Sequence, residues 1–169
     1  MKKIGLIIAF SLISLMSFSQ EKTVNIGVFG AIPLGDTNDV SKVGIGLEAT
    51  YLFVKSGKFG IGTLTGVSYF GGKKVSYYEG NTLKHFTYNN AKYLPIMAAI
   101  RFNTTKSFYL GMDLGYTIGI GKGIKNGFQF KPRVGLRLTD KIEINASFTG
   151  LKVKTNTWKT FGFGVGFNL

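Results

Sequence analysis

From Val24 onward, apolar residues return at every second position, in blocks separated by turn-forming residues. Val24, Ile26, Val28 and Ile32 begin the pattern, and Val43, Ile45, Leu47, Ala49, Tyr51 and Phe53 carry it through the next block. Leu94, Ile96, Ala98, Ile100 and Phe102 form a later stripe, followed by Phe108, Leu110, Met112, Leu114, Tyr116 and Ile118. Val134, Leu136 and Leu138, then Ile142, Ile144, Ala146 and Phe148, continue it, and Phe161, Phe163, Val165, Phe167 and Leu169 close the chain. A period of two places each stripe on one face of an extended strand, and no long block has helical spacing.

The alternation predicts eight strands, over 22–32, 42–54, 59–70, 91–102, 107–119, 128–138, 142–150 and 158–169. Tight turns are expected at Lys55–Lys58, Asn103–Lys106 and Thr139–Lys141, with longer loops between them, the longest being Gly71–Asn90. Short turns at one end and long loops at the other are the pattern of an up-and-down outer-membrane barrel, whose tilted strands of ~9–11 residues cross the bilayer. An even strand number then puts both termini on the periplasmic side and the Gly71–Asn90 loop outside.

The parity opposite to the stripes separates a membrane barrel from a soluble one. It reads Gly111, Asp113, Gly115, Thr117 and Gly119 in the fifth strand, and Gln129, Lys131, Arg133, Gly135 and Arg137 in the sixth. Glu143, Asn145, Ser147 and Thr149 follow in the seventh. Glycines on a water-facing strand would weaken it, whereas inside a narrow barrel they make room for large neighbours. Phe53 and Phe59 flank the first tight turn and Phe102 and Phe108 the second, where an interfacial aromatic girdle belongs. Leu64 and Phe70 fall on the expected inner face and Thr63 and Thr65 on the outer one, against the trend.

The first twenty residues obey a different rule. Lys2 and Lys3 precede an apolar run from Ile4 to Met16, and Ser17-Phe18-Ser19 follows. This is the layout of a cleavable export signal, and the run is short for a spanning helix. The expected division is a signal peptide over 1–19 and a barrel domain over 20–169. The net charge of +13 includes the two leader lysines, so the mature chain remains strongly basic. Export argues against nucleic acid as the partner and directs that charge toward acidic groups such as the phosphates of lipopolysaccharide. The 24 glycines come with only 3 prolines, which excludes collagen and Pro-rich linkers, and the absence of cysteine excludes disulfides and thiolate chemistry.

The leader, the eight alternating blocks and the closing stretch Thr160–Leu169 together resemble the outer-membrane β-barrel protein family, similar to the OmpA/OmpX-type small barrels. In that group the last strand carries an insertion signal, which Thr160, Gly162, Val165 and Phe167 match, although Leu169 stands where a terminal aromatic is commoner. The resemblance implies an eight-stranded antiparallel barrel assembled by the outer-membrane insertion machinery. It implies no particular activity, because the group hosts many.

Candidate chemistry is sparse. The single histidine, His85, shares the longest loop with Ser76 and Glu79, but their spacing specifies no catalytic geometry. No cofactor and no metal is expected, since one histidine and scattered carboxylates form no ligand set. The inward charges Glu48, Arg101, Asp113, Lys131, Arg133, Arg137 and Glu143 should pair as a polar network, because an eight-strand lumen is just filled by side chains. The longest loop is basic and aromatic, with Lys73, Lys74, Tyr77, Tyr78, Lys84, Phe86 and Tyr88. Lys122, Lys125, Lys152 and Lys154 lie in the other loops. The reading that follows is a monomeric, non-enzymatic barrel in contact with outer-membrane lipid and lipopolysaccharide or an acidic partner. A porin-like small-solute channel and a lipid-modifying outer-membrane enzyme are the alternatives.

Overall fold

The computed structural model describes residues 23–79, 82–121, 123–154 and 156–169. The leader expected over 1–19 lies outside them. Among the described residues ten strands run β1 Thr23–Leu34, β2 Ser41–Ser56, β3 Phe59–Gly72, β4 Lys74–Glu79, β5 Thr82–Thr87, β6 Ala91–Asn103, β7 Phe108–Ile120, β8 Gly127–Arg137, β9 Ile142–Val153 and β10 Asn156–Asn168. One short helix, α1 (Asp36–Val40), joins β1 to β2. Eight strands close into a barrel in the order β1-β10-β9-β8-β7-β6-β3-β2, with every neighbour antiparallel. The eight-stranded all-β barrel expected from the alternation is therefore the fold. The remaining pair, β4 and β5, forms a separate hairpin within the β3–β6 connection.

Parity decides which residues meet lipid. Leu114 is 39% exposed while Asp113 beside it is 0% exposed, so the apolar stripes face outward and the polar parity faces the lumen. Ile45, Ile96, Phe128 and Phe163 are among the large apolar side chains left open on the outside. Phe59 and Phe102 meet across β3 and β6 with ring centroids 5.0 Å apart, next to the tight turns as a girdle requires.

The turns follow from local chemistry. Thr105 and Thr139 each begin a turn by accepting backbone N–H groups on Oγ1, from Ser107 and Phe108 in one case and Lys141 and Ile142 in the other. Proline leaves a mark in β6 and β8, because it has no N–H to give. At Pro95 the β3–β6 ladder skips from Thr65↔Ile96 to Ser68↔Tyr93, and at Pro132 the β8–β9 ladder skips from Phe130↔Gly150 to Arg133↔Ser147.

The structure revises the expected layout in three places. The Gly71–Asn90 segment is no plain loop: Val75 pairs with Phe86 and Tyr77 with Lys84 in a ladder, an alternation that its lysines obscure. The expected long connection between the last two strands is a tight turn. Val153 pairs with Asn156, Lys152 belongs to β9, and Lys154 adopts φ +53°. Finally, a bulge between Leu52↔Gly62 and Val54↔Ile61 ends the strict alternation at Phe53, so Lys55 takes the inward parity.

Candidate functional site

The lumen is built in layers. At the long-loop end Phe70, Tyr93 and Trp158 meet edge-on, with centroids 5.8 to 6.4 Å apart, and pack with Ala31, Ala91 and Leu151. Leu64, Met97, Ala99 and Leu52 form a second apolar cluster on the β3 and β6 side. Leu64 and Phe70 thus break the polar parity because they belong to these clusters. Every one of these residues holds an inward position, as the parity of the third strand gave for Leu64 and Phe70, but the joining of Phe70 with Tyr93 and Trp158 was not anticipated. The signal was present in β6, whose inward residues change from Asn103 and Arg101 to Met97, Pro95 and Tyr93 toward the long-loop end.

The charged layer lies across the middle strands. Asp113, fully buried on β7, accepts from Arg101 Nη1 at 2.5 Å and from Arg133 Nε at 2.8 Å. Arg133 also reaches Glu48 with Nη2 at 2.9 Å, and Lys131 completes the chain with a second contact to Glu48. Lys131 in addition lies 4.4 Å from the Phe29 ring centroid. Five of the residues expected inside, Glu48, Arg101, Asp113, Lys131 and Arg133, are therefore one connected group. Register explains it: Asp113 stands opposite Ala99 and Lys131, and Arg133 opposite Gly111, so the cations sit one pleat from their anion on both sides. Gly111 has no side chain, and a Cβ there would lie 2.6 Å from Arg133 Cγ.

Arg137 and Glu143 depart from the expected network. They are direct cross-strand partners, yet Glu143 accepts the Tyr109 hydroxyl at 2.8 Å. Arg137 turns instead to Asn103 Oδ1 at 2.7 Å and the Lys106 carbonyl at 3.1 Å, with its guanidinium 5.3 Å from the Tyr109 centroid. It occupies the last residue of β8, where turn carbonyls are within reach and the central carboxylates are not. Tyr109, unnoticed in the sequence, is the organising residue here. It is 2% exposed, and Gly135 directly across β8 leaves the space for its ring.

The long-loop end carries most of the exposed lysines among the described residues. Lys74 and Lys84 are on the hairpin; Lys125 follows β7, and Lys154 is in the β9–β10 turn. Lys92, Lys152 and Lys159 continue the outward parity just beyond the apolar band, beside Tyr69, Phe128 and Leu34 respectively. Lys73, expected as a contact residue, is instead half-buried and donates from Nζ to Asn38 Oδ1 at 2.9 Å, tying the hairpin base to α1. Tyr88 packs edge-on against Phe86 at 5.0 Å. The side chains of Tyr77 and Tyr78 and all of Lys122 lie outside the described residues. Ser76 Oγ and His85 Nδ1 are 2.7 Å apart as cross-strand partners in the exposed hairpin.

A closed antiparallel barrel with an apolar exterior and a charged interior defines a transmembrane β-barrel, since closure satisfies every ladder that lipid cannot. The profile of the family described as "Outer membrane protein beta-barrel domain" matches residues 5–168, and the chain belongs to that family. Its place is accordingly the bacterial outer membrane. Among solved structures the fold is similar to Ail, the attachment invasion locus protein of Yersinia pestis, with TM-score 0.56 and 15% identity over 88% of this chain and 97% of that one. The N-terminal barrel of Pseudomonas aeruginosa OprF is similar at TM-score 0.58 and 15% identity, covering 87% and 97%. Neisserial surface protein A gives 0.52 and 14%, covering 89% and 97%. No curated protein sequence matches the chain.

Proposed function

We propose that the protein is a monomeric surface-interaction barrel whose long-loop end binds dense oxyanions, those of lipopolysaccharide or of an acidic partner. The charge asymmetry of that end carries the reading. Exposed Lys42, Lys74, Lys84, Lys92, Lys125, Lys152, Lys154 and Lys159 stand there against the carboxylates of α1, Asp36 and Asp39, and one acidic residue of the hairpin, Glu79. Lysines near an anionic headgroup layer contribute about 1 kcal/mol each, so the sum is a strong, salt-sensitive attraction. Ail, a relative in fold, has been crystallised in complex with the heparin analogue sucrose octasulfate, a ligand of the same chemistry.

The layered lumen favours this reading over a solute channel. A buried ion-pair layer and an aromatic cluster occupy successive levels of a barrel that is already narrow. Export by a signal peptide over 1–19 and assembly by the outer-membrane insertion machinery complete the proposal, as does a solitary state, since barrel closure leaves no edge strand to pair. No catalytic role is assigned to Ser76 and His85, which face solvent.

The test uses the folded barrel in nonionic detergent. It should be retained on immobilised heparin and elute at clearly lower salt once Lys74, Lys84, Lys152 and Lys154 are all changed to Gln. Elution of the quadruple variant together with the native protein would refute the reading. A sustained ohmic conductance in planar bilayers would favour the channel.

A further inference from the structure

At the end opposite the long loops the lumen opens into a polar cavity of about 490 Å³. Lys55, Arg101, Lys106, Arg133, Arg137 and Lys141 all line it, and among the described residues the side-chain carboxylates in its wall are Asp140 and Glu143. Four observations make it more than a gap under the charged layer. First, its charge is unbalanced even with Lys55 left out of the count, since Lys106, Arg137 and Lys141 face Asp140 and Glu143, and Glu143 is already engaged by Tyr109. Arg101 and Arg133 are matched by Asp113 and Glu48, and Glu48 is shared with Lys131, so the layer above lends no anion to the cavity. Second, Arg137 is held by neutral acceptors, the Asn103 amide and the Lys106 carbonyl, and by the Tyr109 ring, while Glu143 across from it is engaged by the Tyr109 hydroxyl. Its guanidinium is fixed in orientation, and among the described residues it has no carboxylate of its own.

Third, the bulge at Phe53 reverses the parity of β2 and thereby delivers Lys55 to the cavity instead of to the lipid side. Fourth, the cavity is closed off from the long-loop end. The ion-pair layer and the Phe70–Tyr93–Trp158 cluster lie between it and the long-loop end. A cationic recess walled by lipid-embedded strands focuses its field toward the tight-turn end, and guanidinium groups match the planar geometry of phosphoryl and carboxyl oxygens.

We infer that this recess is a binding site for a small multivalent oxyanion, entered from the tight-turn end, which is the periplasmic end in barrels of this class. It is separate from the long-loop lysines and independent of what they bind. The phosphoryl and carboxyl versions of such a ligand share the chemistry, so tripolyphosphate and citrate are the two probes.

The protein is assembled in lipid nanodiscs at low salt and titrated with each probe while backbone amide resonances are followed. Binding by either, with shifts concentrated at Asn103, Tyr109 and Arg137, supports the site, and the tighter probe names the source. Arg137→Gln should weaken that binding by about tenfold or more, the loss of one well-placed charged contact. If that variant does not migrate as a folded barrel, Lys141→Gln in the exposed turn takes its place with the same expectation. Lys58→Gln, at the same end but outside the cavity, should change nothing. Shifts confined to the long-loop end, no binding by either probe at millimolar concentration, or an equal loss from Lys58→Gln would each overturn the inference.

Discussion

Asp113 and Leu114 are consecutive residues of β7, and they live under opposite rules. Leu114 faces lipid, where its neighbours on the same stripe are Met112 and Tyr116 and any apolar side chain of similar size would serve. Asp113 faces the lumen, where it holds two particular guanidinium groups at particular distances. The outer face needs a property, and the inner face needs partners. Outside, contributions should be generic and additive, while inside they should be coupled, because a buried charge is tolerable only in company.

The comparison breaks most sharply at the charged layer. Asp113→Asn leaves Arg101 without its carboxylate and Arg133 with only Glu48, and it should cost about 3–5 kcal/mol of stability by urea unfolding in lipid vesicles. A loss of well under 1 kcal/mol would mean that the layer is solvated and the partners are dispensable. On the outer face, Leu114→Arg should cost ~2–4 kcal/mol if it lies near the bilayer midplane. The penalty should shrink for the same change at Phe108 near the tight turns, and equal costs at both depths would contradict the lipid assignment.

Coupling is the next discriminator. A double-mutant cycle of Asp113→Asn and Arg133→Gln should return an interaction of ~1–3 kcal/mol, whereas Met112→Ala with Tyr116→Ala should add to within about 0.5 kcal/mol. Strict additivity at both pairs would erase the distinction drawn here. A finer test puts the same methyl group on both faces. Gly135→Ala drives a Cβ into the Tyr109 ring and should cost about 1–3 kcal/mol, unless the ring can move. Gly30→Ala, with nothing within 4 Å of its Cβ, should stay within about 0.5 kcal/mol of the native protein. A tryptophan fluorescence melt of each variant would rank them, and the reverse order would place Gly135 outside.

How far the sequence alone could be read follows the same division. Period-two alternation assigns each residue of a strand to one of two faces, and outside the β2 bulge it did so for the barrel strands, because lipid favours apolar character at most outward positions. The inward identity of Glu48, Arg101, Asp113, Lys131 and Arg133 was legible for that reason. The exceptions arose where local signals conflict. The β4–β5 hairpin alternates, but its lysines and serine read as loop, and the β9–β10 turn uses Lys154 in a left-handed conformation that a non-glycine residue rarely announces.

Parity and membership of a barrel were thus determined by the linear order of apolar and polar residues, a local property that needs no partner. Pairing was decided only by the closed tertiary structure. Arg137 and Glu143 are directly opposed and of opposite charge, yet each takes a different neighbour, because Tyr109 from the next strand reaches Glu143 first and the β6–β7 turn presents its amide and carbonyl to Arg137. The bulge that turns Lys55 inward is likewise a matter of how β2 meets β3, since one extra residue reverses parity without altering composition. Charge pairing depends on strand register and on reach across the lumen, and those distances exist only once the barrel has closed.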